Sequence, residues 1–105
     1  MNLENTIFVT IKQLVQNIEP NAQVILYGSF ARGDNNKNSD IDLLILLDKE
    51  KITFQDEKKI KSPLYDLEFD TGQIISPLVL SKSDWEDRHR ITPFYHNIKQ
   101  EGISL

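Results

Sequence analysis

The chain has no cysteine, which excludes a disulfide framework, a thiolate zinc site and a cysteine nucleophile. It also lacks a long hydrophobic run. The strongest, Ile41 to Leu47 (IDLLILL), is interrupted by Asp42 and falls far short of the ~20 apolar residues that a membrane-spanning helix requires. The opening MNLENTIF puts no basic stretch ahead of an apolar one, so no secretory signal is read and a cytoplasmic location is expected. Basic charge is in deficit. Twelve Lys and Arg stand against 16 Asp and Glu, a net −4 that disfavours direct binding to a nucleic-acid backbone. Length is scarce too: 105 residues can bury one core and leave no room for a separate substrate domain, so one domain over residues 1–105 is expected.

The hydrophobic pattern is clear. Ile7, Ile11, Leu14, Val15 and Ile18 recur at helical spacing over Leu3 to Ile18, and Glu19-Pro20-Asn21 stops the run. Gln23 to Tyr27 (QVILY) reads as a buried strand, and Gly28 to Ser39 as turn and loop with a short helix. Ile41 to Leu47 is apolar on both faces apart from Asp42, which predicts a central strand covered by helices. Asp56 to Asp70 reads as a helix broken at Ser62-Pro63, a pair that resembles a fresh N-cap and first helical position. Gln73 to Leu80 (QIISPLVL) reads as a third strand, placed at an edge or bulged because Pro77 has no amide donor. Ser83 with Glu86 has capping-box spacing, and Thr92-Pro93 opens a last short helix that Gly102 ends. This order predicts an α/β (α+β) fold, a short mixed sheet flanked by helices. Lys49, Lys51, Lys58, Lys59 and Lys61 cluster, and read first as a solvated helix face rather than a docking patch.

Chemistry concentrates in one stretch. Gly28-Ser29 stands where a buried strand ends and a turn begins. Glycine there lets a bulky ligand approach the backbone, and the following amides with the serine hydroxyl can face an anion. Arg32 could add a guanidinium to the same phosphate. Asp40 and Asp42, at i and i+2 of an extended segment, project from one face with Cα atoms roughly 6.5–7 Å apart. Two carboxylates so placed repel, and a hard cation removes that cost. Oxygen ligands without nearby histidine or cysteine point to Mg²⁺ or Mn²⁺, which usually completes its shell with water and substrate phosphates. A phosphate-binding turn beside a carboxylate pair therefore points to a nucleoside triphosphate.

Gly28-Ser29, ten intervening residues and Asp40-x-Asp42 resemble the GSx10DxD signature of the nucleotidyltransferase superfamily related to DNA polymerase beta. The longer string GSFARGDNNKNSDIDLLILL is similar to its minimal, stand-alone members, and the likeness extends to the C-terminal FYHNIKQEGISL. The resemblance implies that Gly28 and Ser29 hold the triphosphate of ATP and that Asp40 and Asp42 are catalytic and bind the metal. A hydroxyl would attack the α-phosphate and pyrophosphate would leave. Minimal members are similar to antitoxins encoded beside HEPN-domain toxins, and relatives of that kind add AMP to a tyrosine of the toxin. Assembly with such a partner, or with a second copy, is therefore expected. Active members also place a third carboxylate on the next strand. That position falls at Ile74, or one residue away at Gln73 or Ile75, and none is acidic. Asp70 is the nearest substitute by sequence; the helical pattern puts Asp66 and Glu68 away from the strand.

Arg90 and His96 match the loose R-x4-6-H pattern of HEPN RNases, but Pro93 interrupts the helix that would have to carry both. His89 reads as a surface residue, and Trp85, Phe94 and Tyr95 as core or interface aromatics.

Overall fold

The computed structural model describes residues 3–105, so the first two residues of the MNLENTIF opening lie outside it. The elements run α1 (Leu3–Ile18), β1 (Gln23–Tyr27), α2 (Ser29–Arg32), β2 (Ile41–Leu47), α3 (Phe54–Thr71), β3 (Ile75–Ser81), α4 (Lys82–Asp87), α5 (Pro93–Glu101) and β4 (Ile103–Ser104). The strands form one mixed sheet in the order β3-β2-β1-β4. β1 pairs antiparallel with both β2 and β4, and β2 pairs parallel with β3. Among the described residues no helix is long and apolar enough to cross a membrane.

Strand alternation divides the molecule into two layers. Ile41, Leu43, Ile45 and Leu47 of β2 share a core with Ile11 and Val15 of α1 and Ile60 and Leu64 of α3. Leu44 and Leu46 point the other way, onto Trp85 of α4 and Tyr95 and Ile98 of α5. β2 is thus an interior strand buried on both faces, as its apolar run predicts. Asp42 has the parity of Leu44 and Leu46, so it faces the α4/α5 side.

β3 lies at the edge, as Pro77 predicts. The Ile74 carbonyl accepts from the Ile41 amide, so the backbone of residues 74, 76 and 78 faces β2 and that of 75 and 77 faces outward. Pro77 therefore costs the ladder no donor. The outward amide of Ile75 donates to Glu68 Oε1 at 2.7 Å. This corrects the helical-pattern argument about Glu68: α3 lies along the sheet, and a long side chain near its C-terminal end reaches the strand margin. Asp66 and Asp70 are exposed.

Three further boundaries differ from expectation. α3 is continuous through Pro63 and starts at Thr53, whose side chain accepts from the Asp56 amide while Asp56 caps the Thr53 amide. Burial of Ile60 and Leu64 on either side of the proline outweighs the backbone bond lost there. α4 is capped by Ser81, not Ser83, with Ser81 Oγ accepting from the Asp84 amide at 2.9 Å. The last residue of β3 is already extended and so serves as the cap. β4 was not expected. Two residues have no pattern of their own, and this pair exists because Gly102 lets the chain turn back against Ile25 of β1.

Of the lysine cluster, Lys49 bonds Asp56 at 2.8 Å and Glu19 at 3.0 Å, tying the end of α1 to the start of α3. The Lys49 bond, followed by the Thr53 amide, lowers the Asp56 carboxyl from 3.8 to about 2. Its contribution to stability is complete above the unfolded value of 3.8 and is lost as pH falls toward about 2. Asp56→Asn is expected to melt earlier than wild type at neutral pH. It should also lose less stability on acidification through that window, which thermal denaturation followed by circular dichroism will read.

Candidate active site

β1 ends at Gly28, whose φ of +74° and ψ of −154° belong to a backbone region open essentially only to glycine. A Cβ at this position would collide with Asp42 Oδ2 and stand 3.2 Å from Asp42 Cγ. The missing side chain is therefore what allows the turn and the second aspartate to meet. The register explains the approach: Tyr27, the last residue of β1, pairs directly with Asp42.

After Gly28 the chain makes one helical turn. The Ala31 and Arg32 amides both donate to the Gly28 carbonyl at 3.1 Å, and Gly33 closes α2 in the left-handed conformation. As N-cap, Gly28 has no side chain to offer, so the first-turn amides receive no side-chain cap. Those amides and the half-buried Ser29 hydroxyl leave the turn suited to an anion.

The loop to β2 is held by its own polar side chains. The Asn36 amide donates to Ser39 Oγ at 2.9 Å, and the Asn38 amide to Asn36 Oδ1 at 2.8 Å. Gln73 Nε2 donates to the Ser39 carbonyl at 2.9 Å, which pins the residue before Asp40 to the start of β3. In sequence Gln73 reads as the start of the third strand and as one possible position for the third carboxylate; β3 in fact begins at Ile75. The work of Gln73 here is to position the loop, and a long-range side-chain bond of that kind leaves no local signal.

Asp40 is exposed and Asp42 half-buried, on the same face of the sheet. Burial raises the Asp42 carboxyl above its ordinary value, the Asp40 charge adds to this, and Arg32 partly opposes it. Burial, and then Asp42, likewise raises the Tyr27 phenol. Neither aspartate makes a hydrogen bond or ion pair among the described residues. The donor set suits a hard divalent cation: oxygen ligands only, and a mutual repulsion that positive charge would relieve.

Arg32 stands beside the turn, but its guanidinium is drawn elsewhere. Nε bonds Asp34 at 3.2 Å and Nη1 lies 3.6 Å from Glu101 Oε2. Asp34 foremost, then Glu101, raise its pKa further. A phosphate reaching Arg32 must compete with two carboxylates, a competition invisible in sequence because Glu101 lies on α5. Between the turn and α5 opens a cleft of about 230 Å³, bounded by Tyr27, Gly28, Arg32, Phe94, Asn97 and Glu101 among others. Tyr27 and Phe94 meet edge to face there at 5.3 Å.

Among the described residues no third carboxylate joins the pair. In the parallel register Ser76 stands beside Asp42, and Ile74, half exposed, bonds through its carbonyl to the amide of Ile41, the residue after Asp40. Glu68 is committed to Ile75 on the α3 side of the strand margin. Among the described residues no group of three or more His, Cys, Asp or Glu gathers as metal ligands. Arg90 lies in the turn between α4 and α5 and His96 within α5, so no one helix carries both. His89 is half-buried rather than free on the surface, stacked on Trp85 at 5.8 Å.

The sequence profile of the family described as Nucleotidyltransferase domain matches residues 9–92, which spans both the glycine-serine turn and the aspartate pair. The chain belongs to the nucleotidyltransferase domain family. It is 43% identical over 63 residues to a protein of Methanocaldococcus jannaschii named "Putative protein adenylyltransferase", a match covering 58% of this chain and 61% of that one. The chain thus spans about three-fifths of the length of this curated relative. In fold it is similar to a crystal structure described as "a putative nucleotidyltransferase from Sulfolobus solfataricus", with a TM-score of 0.58 and 22% identity over 90% of this chain and 72% of the other. The nucleotidyltransferase fold and its mixed sheet follow from these observations together.

Proposed function

We propose that this nucleotidyltransferase-family chain transfers AMP from ATP to a hydroxyl of a partner protein, a tyrosine of a HEPN-type toxin, and thereby acts as an antitoxin in the cytoplasm. The observation that carries the reading is the close approach of Gly28 to Asp42. It joins a polyphosphate-binding turn to a carboxylate pair across a separation of more than ten residues. The relative's printed name supports protein as the acceptor class.

In this reading Gly28 and Ser29 seat the triphosphate through backbone amides and the Ser29 hydroxyl. Asp40 and Asp42 hold Mg²⁺ or Mn²⁺. When bound, that ion supplies charge neutralisation at the phosphates and at the entering and leaving oxygens. Tyr27 and Phe94 line the apolar side of the cleft, and Tyr27 pairs with Asp42 across the strands. The acceptor hydroxyl forms the new bond to the α-phosphorus and gives its proton to solvent, the bond from that phosphorus to the oxygen bridging to the β-phosphate breaks, and pyrophosphate leaves.

Incubation with α-labelled ATP, Mg²⁺ and the product of the neighbouring gene is expected to move label onto that product. A second reading has its own observation: Ser76 of β3 pairs with Asp42 and Ile74 immediately precedes the strand, and neither is acidic. It describes a binder that retains nucleotide or neutralises its partner by occlusion. A stable complex with the partner and no transferred label would select it.

A further inference from the structure

We infer that Glu101, with Asn97 one turn before it on α5, reads the ribose hydroxyls of the nucleotide and makes the site prefer ribo- over deoxyribonucleotides. This rests on the nucleotidyl-transfer reading of the same cleft.

The argument starts from what a carboxylate can do there. Glu101 is on the α5 wall of the cleft, and the Gly28 turn forms part of the facing wall. Ionised, it only accepts hydrogen bonds, and it repels phosphate. A nucleoside triphosphate carries its negative charge on the phosphates, which when ionised only accept, and its donors on the sugar hydroxyls and the base. With the polyphosphate on the turn, an acidic wall facing it favours the donor-bearing end. That fixes the direction in which the nucleotide lies.

The helix geometry supports the pairing. Asn97 and Glu101 are four apart and share one face of α5. Ile98 is buried and Phe94 half-buried against Tyr27, so the apolar residues form the floor and the two polar ones the rim. Both Asn97 and Glu101 are exposed. Arg32, 3.6 Å from Glu101, holds the carboxylate at that rim, and Asn97 can both donate to and accept from a hydroxyl.

The test is calorimetric titration of the whole chain, in Mg²⁺, with ATP, 2′-deoxy-ATP, 3′-deoxy-ATP and inorganic tripolyphosphate. Wild type is expected to bind ATP on the order of tenfold more tightly than at least one deoxy analogue, the scale of one hydrogen bond to a charged group. In Glu101→Gln that ratio should fall to within about twofold. Tripolyphosphate should bind equally well or better, because a repelling charge has gone. Asn97→Ala should shrink the same ratio. Freeing Arg32 strengthens every phosphate-bearing ligand alike, so the ratio isolates the sugar contact. Equal binding of ATP and both deoxy analogues to wild type, or an unchanged ratio in Glu101→Gln, overturns the inference. If tripolyphosphate binds while the ratio stays fixed, only the ribose assignment falls. If neither tripolyphosphate nor ATP binds, the transfer reading falls with it.

Discussion

Replacing Gly28 by alanine is expected to abolish both nucleotide binding and transfer, and to destabilise the fold by on the order of 3 kcal/mol. Two independent effects combine. The backbone conformation at φ +74° and ψ −154° is strained for any residue with a Cβ. The added methyl would also enter the space of Asp42 Oδ2. The backbone strain is the larger effect, because Gly28 follows a paired strand residue, whereas the Asp42 carboxylate is the end of a side chain that can turn aside. The double variant Gly28→Ala, Asp42→Ala separates the two effects. Removing the carboxylate relieves the collision and leaves the backbone strain, so part of the stability returns while binding does not. Chemical denaturation of the three proteins reads this directly. A single variant as stable as wild type would show that the chain does not hold Gly28 in this glycine-only conformation, and a double variant no more stable than the single one that the Asp42 carboxylate does not crowd it.

Asp42→Asn is expected to move activity and stability in opposite directions. Transfer should fall by at least about two orders of magnitude, as on losing one preorganised electrostatic group. The fold should hold or gain. Asp42 has its carboxyl raised by burial and by Asp40. A raised carboxyl favours the folded state fully below the unfolded value of 3.8, and that advantage is lost as pH rises through the folded value. At neutral pH wild type therefore carries a repelling charge that asparagine removes. The gain is small, roughly a few degrees at most, because a half-exposed group is screened by water. Mn²⁺ should raise the melting temperature of wild type by mass action and leave Asp42→Asn nearly unmoved. A variant that lost activity and stability together, with an unchanged response to Mn²⁺, would mark Asp42 as structural and not as a metal ligand.

The difference between these two substitutions follows how the site was encoded. The types and spacing of Gly28, Ser29, Asp40 and Asp42 were readable because each has a local meaning: a strand end, a tight turn, and an acidic pair on one strand face. The helical repeat of α1 and the two-sided apolar run of β2 were readable for the same reason. Pro77 announced an edge because a missing donor is tolerated there. Where two local signals competed, sequence did not choose correctly. Ser81 and Ser83 each precede an acidic residue by three, and only the end of β3 decides which of them caps α4. Pro63 looked like a start, yet the buried residues around it keep α3 continuous.

Sequence alone determined the fold class, the two-layer pattern and the donor set of the site, because periodicity, capping and residue chemistry act between near neighbours. Tertiary structure alone decided that Gly28 touches Asp42, that Gln73 pins the Asp40 loop, that Glu68 closes the outer edge of β3, and that Glu101 shares a cleft and an ion pair with Arg32. Each of these joins residues through strand register or helix placement. Such a contact depends on how the whole sheet packs, and no stretch of chain carries it by itself.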